Sequence, residues 1–235
     1  MWLWALLPIS LAVFGTVGVW TVFAVAVRNG SVNLTEGVPY ISVCGSYTPQ
    51  SCLFSQICNI ISFLALWIVL IRFKHVRDNG NHGKANTASI VLGLISSVGL
   101  SILGNFQESV LLSIHLLGAY LAFYLGLAYF WVQLFLTYRA PPSQDRCWVT
   151  PARATCCTLC TILVILMTSL GITGFHSGAA VCEWAMVMLF FGLFSLFATE
   201  FRHINCQLTV RESAIRNDYS SSSTEIHDHV ANALS

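Results

Sequence analysis

Long apolar runs broken by short polar stretches make up most of this chain. Six runs, at 6–27, 53–71, 88–105, 116–138, 155–174 and 181–201, match the roughly 20 mostly apolar residues that cross a bilayer as a helix. The pattern predicts an all-α polytopic membrane protein, a bundle of six transmembrane helices. The third run is the shortest and most polar, carrying Ser89, Ser96, Ser97 and Ser101. The first has a small-residue triplet, Ala24-Val25-Ala26, at its end. It is nonetheless about twice as long as the apolar core of a signal peptide and has no basic residue before it, so it is read as a retained helix.

Composition agrees with a lipid-facing surface. Of the 235 residues, 56% are hydrophobic and 9% charged, against about 25% charged in a soluble domain. A net charge of +1 offers no basic stripe for nucleic acid. The bilayer is the first partner this composition implies.

Charge also orients the helices, because Lys and Arg collect in short cytoplasmic loops. Arg72, Lys74, Arg77 and Lys84 follow the second run, Arg139, Arg146 and Arg153 follow the fourth, and Arg202, Arg211 and Arg216 follow the sixth. The opposite side has Arg28 alone. Both termini are therefore expected in the cytoplasm, with residues 1–204 forming the membrane domain. The polar stretch 205–235, with Ser220 to Ser223 in a row, is expected to be a disordered cytoplasmic tail open to modification or contact with as yet unidentified membrane or cytosolic proteins.

The sizeable loop on the outer side, 29–52, contains both N-x-[ST] triplets, at Asn29 and Asn33. Asn33 is the better glycosylation candidate because Asn29 abuts the membrane. The loop also carries Cys44 and Cys52, separated by Gly45 and Pro49, which suit a tight reversal. In an oxidising compartment Cys44–Cys52 is the favoured disulfide, with Cys182 as an alternative partner for either. On the inner side, Cys156, Cys157 and Cys160 lack the second ligand pair of a zinc site and are read as apolar packing, with S-acylation there or at Cys206 as a second reading.

Polar residues at membrane depth are the main functional candidates. Gln56, Asn59, Asn105, Gln107, His115 and Glu183 all fall near the outer ends of their runs. They are expected to converge as one outer polar cluster, serving either as glue between helices or as a pocket or sensor. His115 and Glu183 form a candidate pH-responsive pair within it. Glu200 is expected to meet a juxtamembrane Arg or Lys. Small residues recur every fourth position at Ser89, Gly93, Ser97 and Ser101 and again at Gly118, Ala122 and Gly126, predicting close packing of the third and fourth helices. No catalytic motif, metal-ligand set or cofactor fingerprint is present, so no enzymatic role, metal or cofactor is expected.

Several strings then stand together in order: Pro39-Tyr40-Ile41-Ser42-Val43-Cys44-Gly45, Pro49-Gln50-Ser51-Cys52-Leu53-Phe54-Ser55, Gly104-Asn105-Phe106-Gln107, His115 with Gly118-Ala119, Cys182-Glu183-Trp184 and Glu200-Phe201-Arg202-His203. In these the chain resembles the damage-regulated autophagy modulator (DRAM) and transmembrane-protein-150 family, and its short first loop with paired cysteines is most similar to the B-type branch. The resemblance covers all six runs and excludes the tail. It implies a non-enzymatic modulator of autophagy and cell survival in endosomal, lysosomal and plasma membranes, acting through membrane partners or lipids. Other branches imply two alternatives, an ion channel or channel subunit, and an adaptor recruiting a phosphoinositide kinase.

Overall fold

The computed structural model describes residues 3–80, 83–139 and 146–202. The polar tail, with Cys206 in it, lies outside these. Along the chain run α1 (Leu3–Arg28), α2 (Ile41–Cys44), α3 (Gln50–Asp78), α4 (Lys84–Asn105), α5 (Leu112–Tyr120), a π-helical segment (Leu121–Leu125), α6 (Gly126–Arg139), α7 (Arg146–Ile172), α8 (His176–Ser195) and α9 (Phe197–Phe201). They make six helices long and apolar enough to span a membrane, with α5, the π segment and α6 forming the fourth and α8 with α9 the sixth. No strand occurs among the described residues. The chain is an integral membrane protein.

The helices outrun the apolar windows, because a backbone ladder continues past the hydrocarbon into polar depth wherever it has no competing partner. Two expectations change as a result. Arg72, Lys74 and Arg77, read as loop residues, lie on the last turns of α3. Arg153, also read as a loop residue, lies inside α7 and is fully buried.

Neighbouring spans pack in a closed order. α3 lies between α1 and α4, α4 packs on the fourth span, that span meets α7, α7 meets α8, and α8 with α9 return to α1. The expected closeness of the third and fourth spans is present, but the small residues divide their work. Gly93, Ser97, Ser101 and Asn105 face α3: Gly93 abuts Val69, Ser62 Oγ donates to the Ser97 carbonyl at 2.6 Å, and Ser101 and Asn105 bond Asn59. The fourth span is met by Ser96 and Gly99, one on each side of Ser97. A methyl on Gly99 would sit 2.7 Å from the Ala122 backbone nitrogen, and one on Gly118 would sit 2.6 Å from the Leu103 nitrogen. Backbone meets backbone there, which only residues lacking a side chain permit. A four-residue spacing marks a face, and a helix with small residues on two adjacent faces can serve two neighbours.

The π segment sits at this contact. Ser96 Oγ donates to the Ala122 carbonyl at 3.0 Å. Irregular helix within a bilayer is tolerated where a neighbouring side chain re-satisfies the backbone in this way.

The loop between the first two spans also departs from expectation, since it contains α2 and turns inward. Ile41, Ser42 and Cys44 are buried. Gly37, at φ +131°, makes the approach: a Cβ there would collide with Ser177 Oγ at the start of α8. The loop thus lies across one mouth of the bundle, the loop-one end. The opposite end carries the α3–α4 turn and the C-terminus of α9.

Candidate functional site

Consecutive residues of α8 hold the loop in place. Glu183 Oε2 accepts the Ile41 backbone N–H at 2.8 Å, and Trp184 Nε1 donates to the Pro39 carbonyl at 3.0 Å. The Trp184 ring also packs on Trp20 and Phe23 of α1, at centroid distances of 4.8 and 5.6 Å. Ile41 has an unpaired N–H to offer because it opens a short helix, where the first donors have no intrahelical acceptor. Glu183 is buried, so this bond forms in a low-dielectric setting that strengthens it. Ser42 Oγ, next along α2, donates to Glu108 Oε2 at 2.6 Å. The loop-one mouth thus holds two carboxylates, Glu183 and Glu108.

Both carboxylates act on the loop around them. Burial raises the Tyr40 hydroxyl above its usual range, and Glu183 and Glu108 add to the effect. Burial likewise pushes the Cys44 thiol up to about 12, with Glu183 contributing in the same direction.

The six residues expected to form one polar cluster separate into distinct sites. Asn59 and Asn105 pair reciprocally, Asn105 Nδ2 to Asn59 Oδ1 at 2.9 Å and Asn59 Nδ2 to Asn105 Oδ1 at 3.1 Å, joined by the hydroxyls of Ser55 and Ser101. The buried His115 places Nδ1 2.7 Å from the Phe106 carbonyl. Glu183 holds Ile41, so the expected His115–Glu183 pair is replaced by two separate backbone contacts. Gln56 is exposed on α3 and Gln107 half-buried after α4, each outside the Asn59–Asn105 pair. Hydropathy fixes a residue's depth but not its bearing around the bundle, so groups at one depth were read as one site. The motif strings do meet in two places: the Pro39 to Cys44 string against Cys182-Glu183-Trp184, and Gly104 to Gln107 against His115.

The expected disulfide is not formed. Cys44 is buried at the end of α2, Cys52 is exposed on the first turn of α3, Cys182 is buried in α8, and all three are free thiols. The inward turn of α2 separates the two loop cysteines by carrying Cys44 into the bundle. Asn33 is exposed and bonds Thr35, accepting from its backbone N–H at 3.1 Å and its hydroxyl at 2.8 Å, while Asn29 Nδ2 reaches Gln50 Oε1 at 3.4 Å. Cys157 and Cys160 are fully buried and Cys156 half-buried.

At the opposite end lies a network that the sequence showed only through Glu200. Its carboxylate pairs with Arg72 at 3.1 Å and Arg153 at 3.2 Å. Arg72 Nε donates to Gln133 Oε1 at 2.9 Å, both guanidinium groups donate to Thr137 Oγ1, and both cover the Phe197 ring, Arg153 at 4.7 Å from its centroid. Four spans are tied together here: α3, α6, α7 and α9. Gln133 and Thr137, two polar residues four apart near a helix end, read in the sequence as ordinary interface.

Between the two ends runs an interior cavity of about 90 Å3, walled mainly by aromatic and aliphatic side chains and capped by Ile41, Ser42 and Glu183.

The Frag1/DRAM/Sfk1/Cwh43P N-terminal domain family matches residues 3–204. The Modulator of macroautophagy TMEM150B of Danio rerio is 60% identical over 217 residues, covering 92% of this chain and 94% of its own length. The Homo sapiens protein of the same name is 44% identical over 209 residues, covering 88% and 90%. Transmembrane protein 150A of Xenopus laevis is 31% identical, covering 95% and 96%. No solved structure matches. With its clasped first loop formed by the very strings that carried the resemblance, and with a match across all six spans, this chain belongs to the Frag1/DRAM/Sfk1 family.

Proposed function

We propose that this protein is a non-enzymatic, multi-pass modulator of autophagy and cell survival in endosomal, lysosomal and plasma membranes, acting through membrane partners or lipids. The similarity to relatives named as modulators of macroautophagy, extending over 92% of the chain in one case, carries this reading. The positive-inside pattern supports a loop-one end facing the lumen or cell exterior and an Arg-rich end facing the cytoplasm. Burial of Arg72 and Arg153 removes two residues from that pattern, and Lys74, Arg77, Lys84 and Arg139 remain at the same end. Asn33 is the residue assigned to a glycan. The interior favours this reading over a channel, because Phe123, Phe130, Phe190, Phe191 and Phe194 line the space where a water-filled path would run.

The test is autophagic flux, read as turnover of a lipidated autophagosome marker with and without a block of lysosomal proteolysis. Cells lacking the protein should show altered flux, restored by wild type and not by Glu183→Ala expressed at equal level. Unchanged flux on loss of the protein would overturn the reading.

A further inference from the structure

Tyr129, Gln133 and Thr137 stand four residues apart on α6 and are all buried, so one face of that helix carries three polar groups into the bundle. Gln133 and Thr137 spend theirs on the guanidinium groups of Arg72 and Arg153. Tyr129 lies one turn deeper. Its ring centroid is 6.3 Å from that of Phe197, the ring that Arg153 covers at 4.7 Å and Arg72 at 5.7 Å. Both guanidinium groups and Glu200 are within electrostatic reach of its hydroxyl.

Charge does not balance in this group. Among the described residues, Glu200 is the only carboxylate paired with either arginine, and it meets both. One carboxylate cancels one guanidinium, which leaves a unit of positive charge where Arg72 is 3% and Arg153 0% exposed. His75 also reaches Glu200 and, being neutral or positive, can only add to the excess. The Phe197 face offsets part of it. A buried charge without a counter-charge nonetheless stays costly.

Hydrogen-bond donors do not balance either. Arg153 Nε and the Tyr129 hydroxyl are both buried, and neither has a partner within the protein. Buried polar groups are nearly always partnered, and both of these can donate. A water between them would satisfy the donors and leave the charge. An anion satisfies both. The unit excess calls for a monovalent one, and two free donors suit a single atom better than the several oxygens of a phosphate. Room exists as well, since Tyr129 borders the interior cavity of about 90 Å3. One water takes a share of about 30 Å3, and a single-atom anion is of similar size.

We propose that this protein binds one halide ion, chloride under cellular conditions, between the Tyr129 hydroxyl and the Arg153 guanidinium. The ion is the second anion of the Glu200 network, and its binding is independent of any role in autophagy.

The experiment uses the purified full-length chain in nanodiscs of neutral phospholipid, with radioactive chloride as the probe and gluconate holding ionic strength constant. Binding should saturate at one chloride per chain. Bromide should displace it, and gluconate and phosphate should not. Tyr129→Phe keeps the ring and removes one donor, so it should weaken binding about tenfold, the loss expected of one charge-assisted hydrogen bond. Arg153→Lys keeps the charge, removes Nε and should weaken binding as well. Whichever variant retains the wild-type gel-filtration profile is used. Tyr124→Phe, whose hydroxyl bonds Thr168 outside the network, should bind as wild type does. The thermal midpoint of the wild type should rise as chloride replaces gluconate, and that rise should be much smaller in Tyr129→Phe. No saturable binding, displacement by phosphate as effective as by bromide, or binding by both Tyr129→Phe and Arg153→Lys equal to wild type would each overturn the proposal; the last result would mean an adventitious ion only.

Discussion

Cys44 and Cys52 are eight positions apart, yet their surroundings give them opposite chemistry. Burial holds the Cys44 thiol up at about 12, whereas Cys52 is exposed. The folded protein therefore keeps the Cys44 proton above about pH 8.5, where an unfolded chain releases it. Stability from this site is complete below that pH and is lost as pH rises toward the folded value. Between pH 8.5 and 10.5 the wild type should lose more melting temperature in detergent than Cys44→Ala does. A maleimide at pH 7.5 and without reductant should modify Cys52 and spare Cys44. Protection of both until reduction would mean that the disulfide forms in cells. At the other end of the bundle, Glu200 pairs with two buried guanidinium groups. Removing one partner of a buried ion network costs about 3–5 kcal/mol, because the remaining charge stays uncompensated. Glu200→Gln should lower the thermal midpoint sharply, and Glu200→Asp should lower it much less. The sequence pointed to Glu200 as a paired residue, but it disguised its partners. An Arg at the edge of an apolar run reads as a topology signal, and only the packing of α7 against α8 and α6 turns Arg153 inward.

Elements were the most legible level. Each span was visible because hydropathy is a local property, and the structure lengthened every span without adding or removing one. Neighbour relations were less visible. The stripe through Gly93, Ser97 and Ser101 was read toward the fourth span, whereas those residues face α3, and Gly99 beside them meets the fourth span. A Leu at position 99 would have to displace the backbone of Ala122, so Gly99→Leu should separate α4 from the π segment. Gly93→Ala would press on the Val69 side chain, which can move more readily than a backbone. Cysteine pairs placed across α4 and α5 should cross-link readily in wild type and poorly in Gly99→Leu, with Gly93→Ala close to wild type. α2 escaped the sequence reading because four residues are too few to show a helical period.

For the molecule as a whole, the charge pattern predicts an orientation that accessible tags measure directly. A tag after Ser235 and one in the 78–84 turn should need permeabilised cells for antibody access, while a tag near Glu36 should not when the protein is at the surface. Glycosidase should increase gel mobility, and Asn33→Gln should remove most of that shift. Staining of the C-terminal tag on intact cells would invert the bundle and with it every assignment of inner and outer residues. What the sequence could not convey at this scale was which polar groups of equal depth touch, since that depends on the rotation of each helix about its axis. Asn59 met Asn105; His115 and Glu183 each met a carbonyl or amide that any sequence would supply.

The clasp on the first loop also has a place in time. The Glu183–Ile41 bond joins residues 142 positions apart. At 5–20 residues per second of synthesis, the loop emerges roughly 7–28 s before its anchor exists. During that interval Asn33 and the loop cysteines lie on an unfastened strand. A ribosome that stops before α8 leaves the loop loose indefinitely. Arrival of the sixth span thus fastens the first loop, and a copy that stops short of α8 is marked by a loop left unfastened.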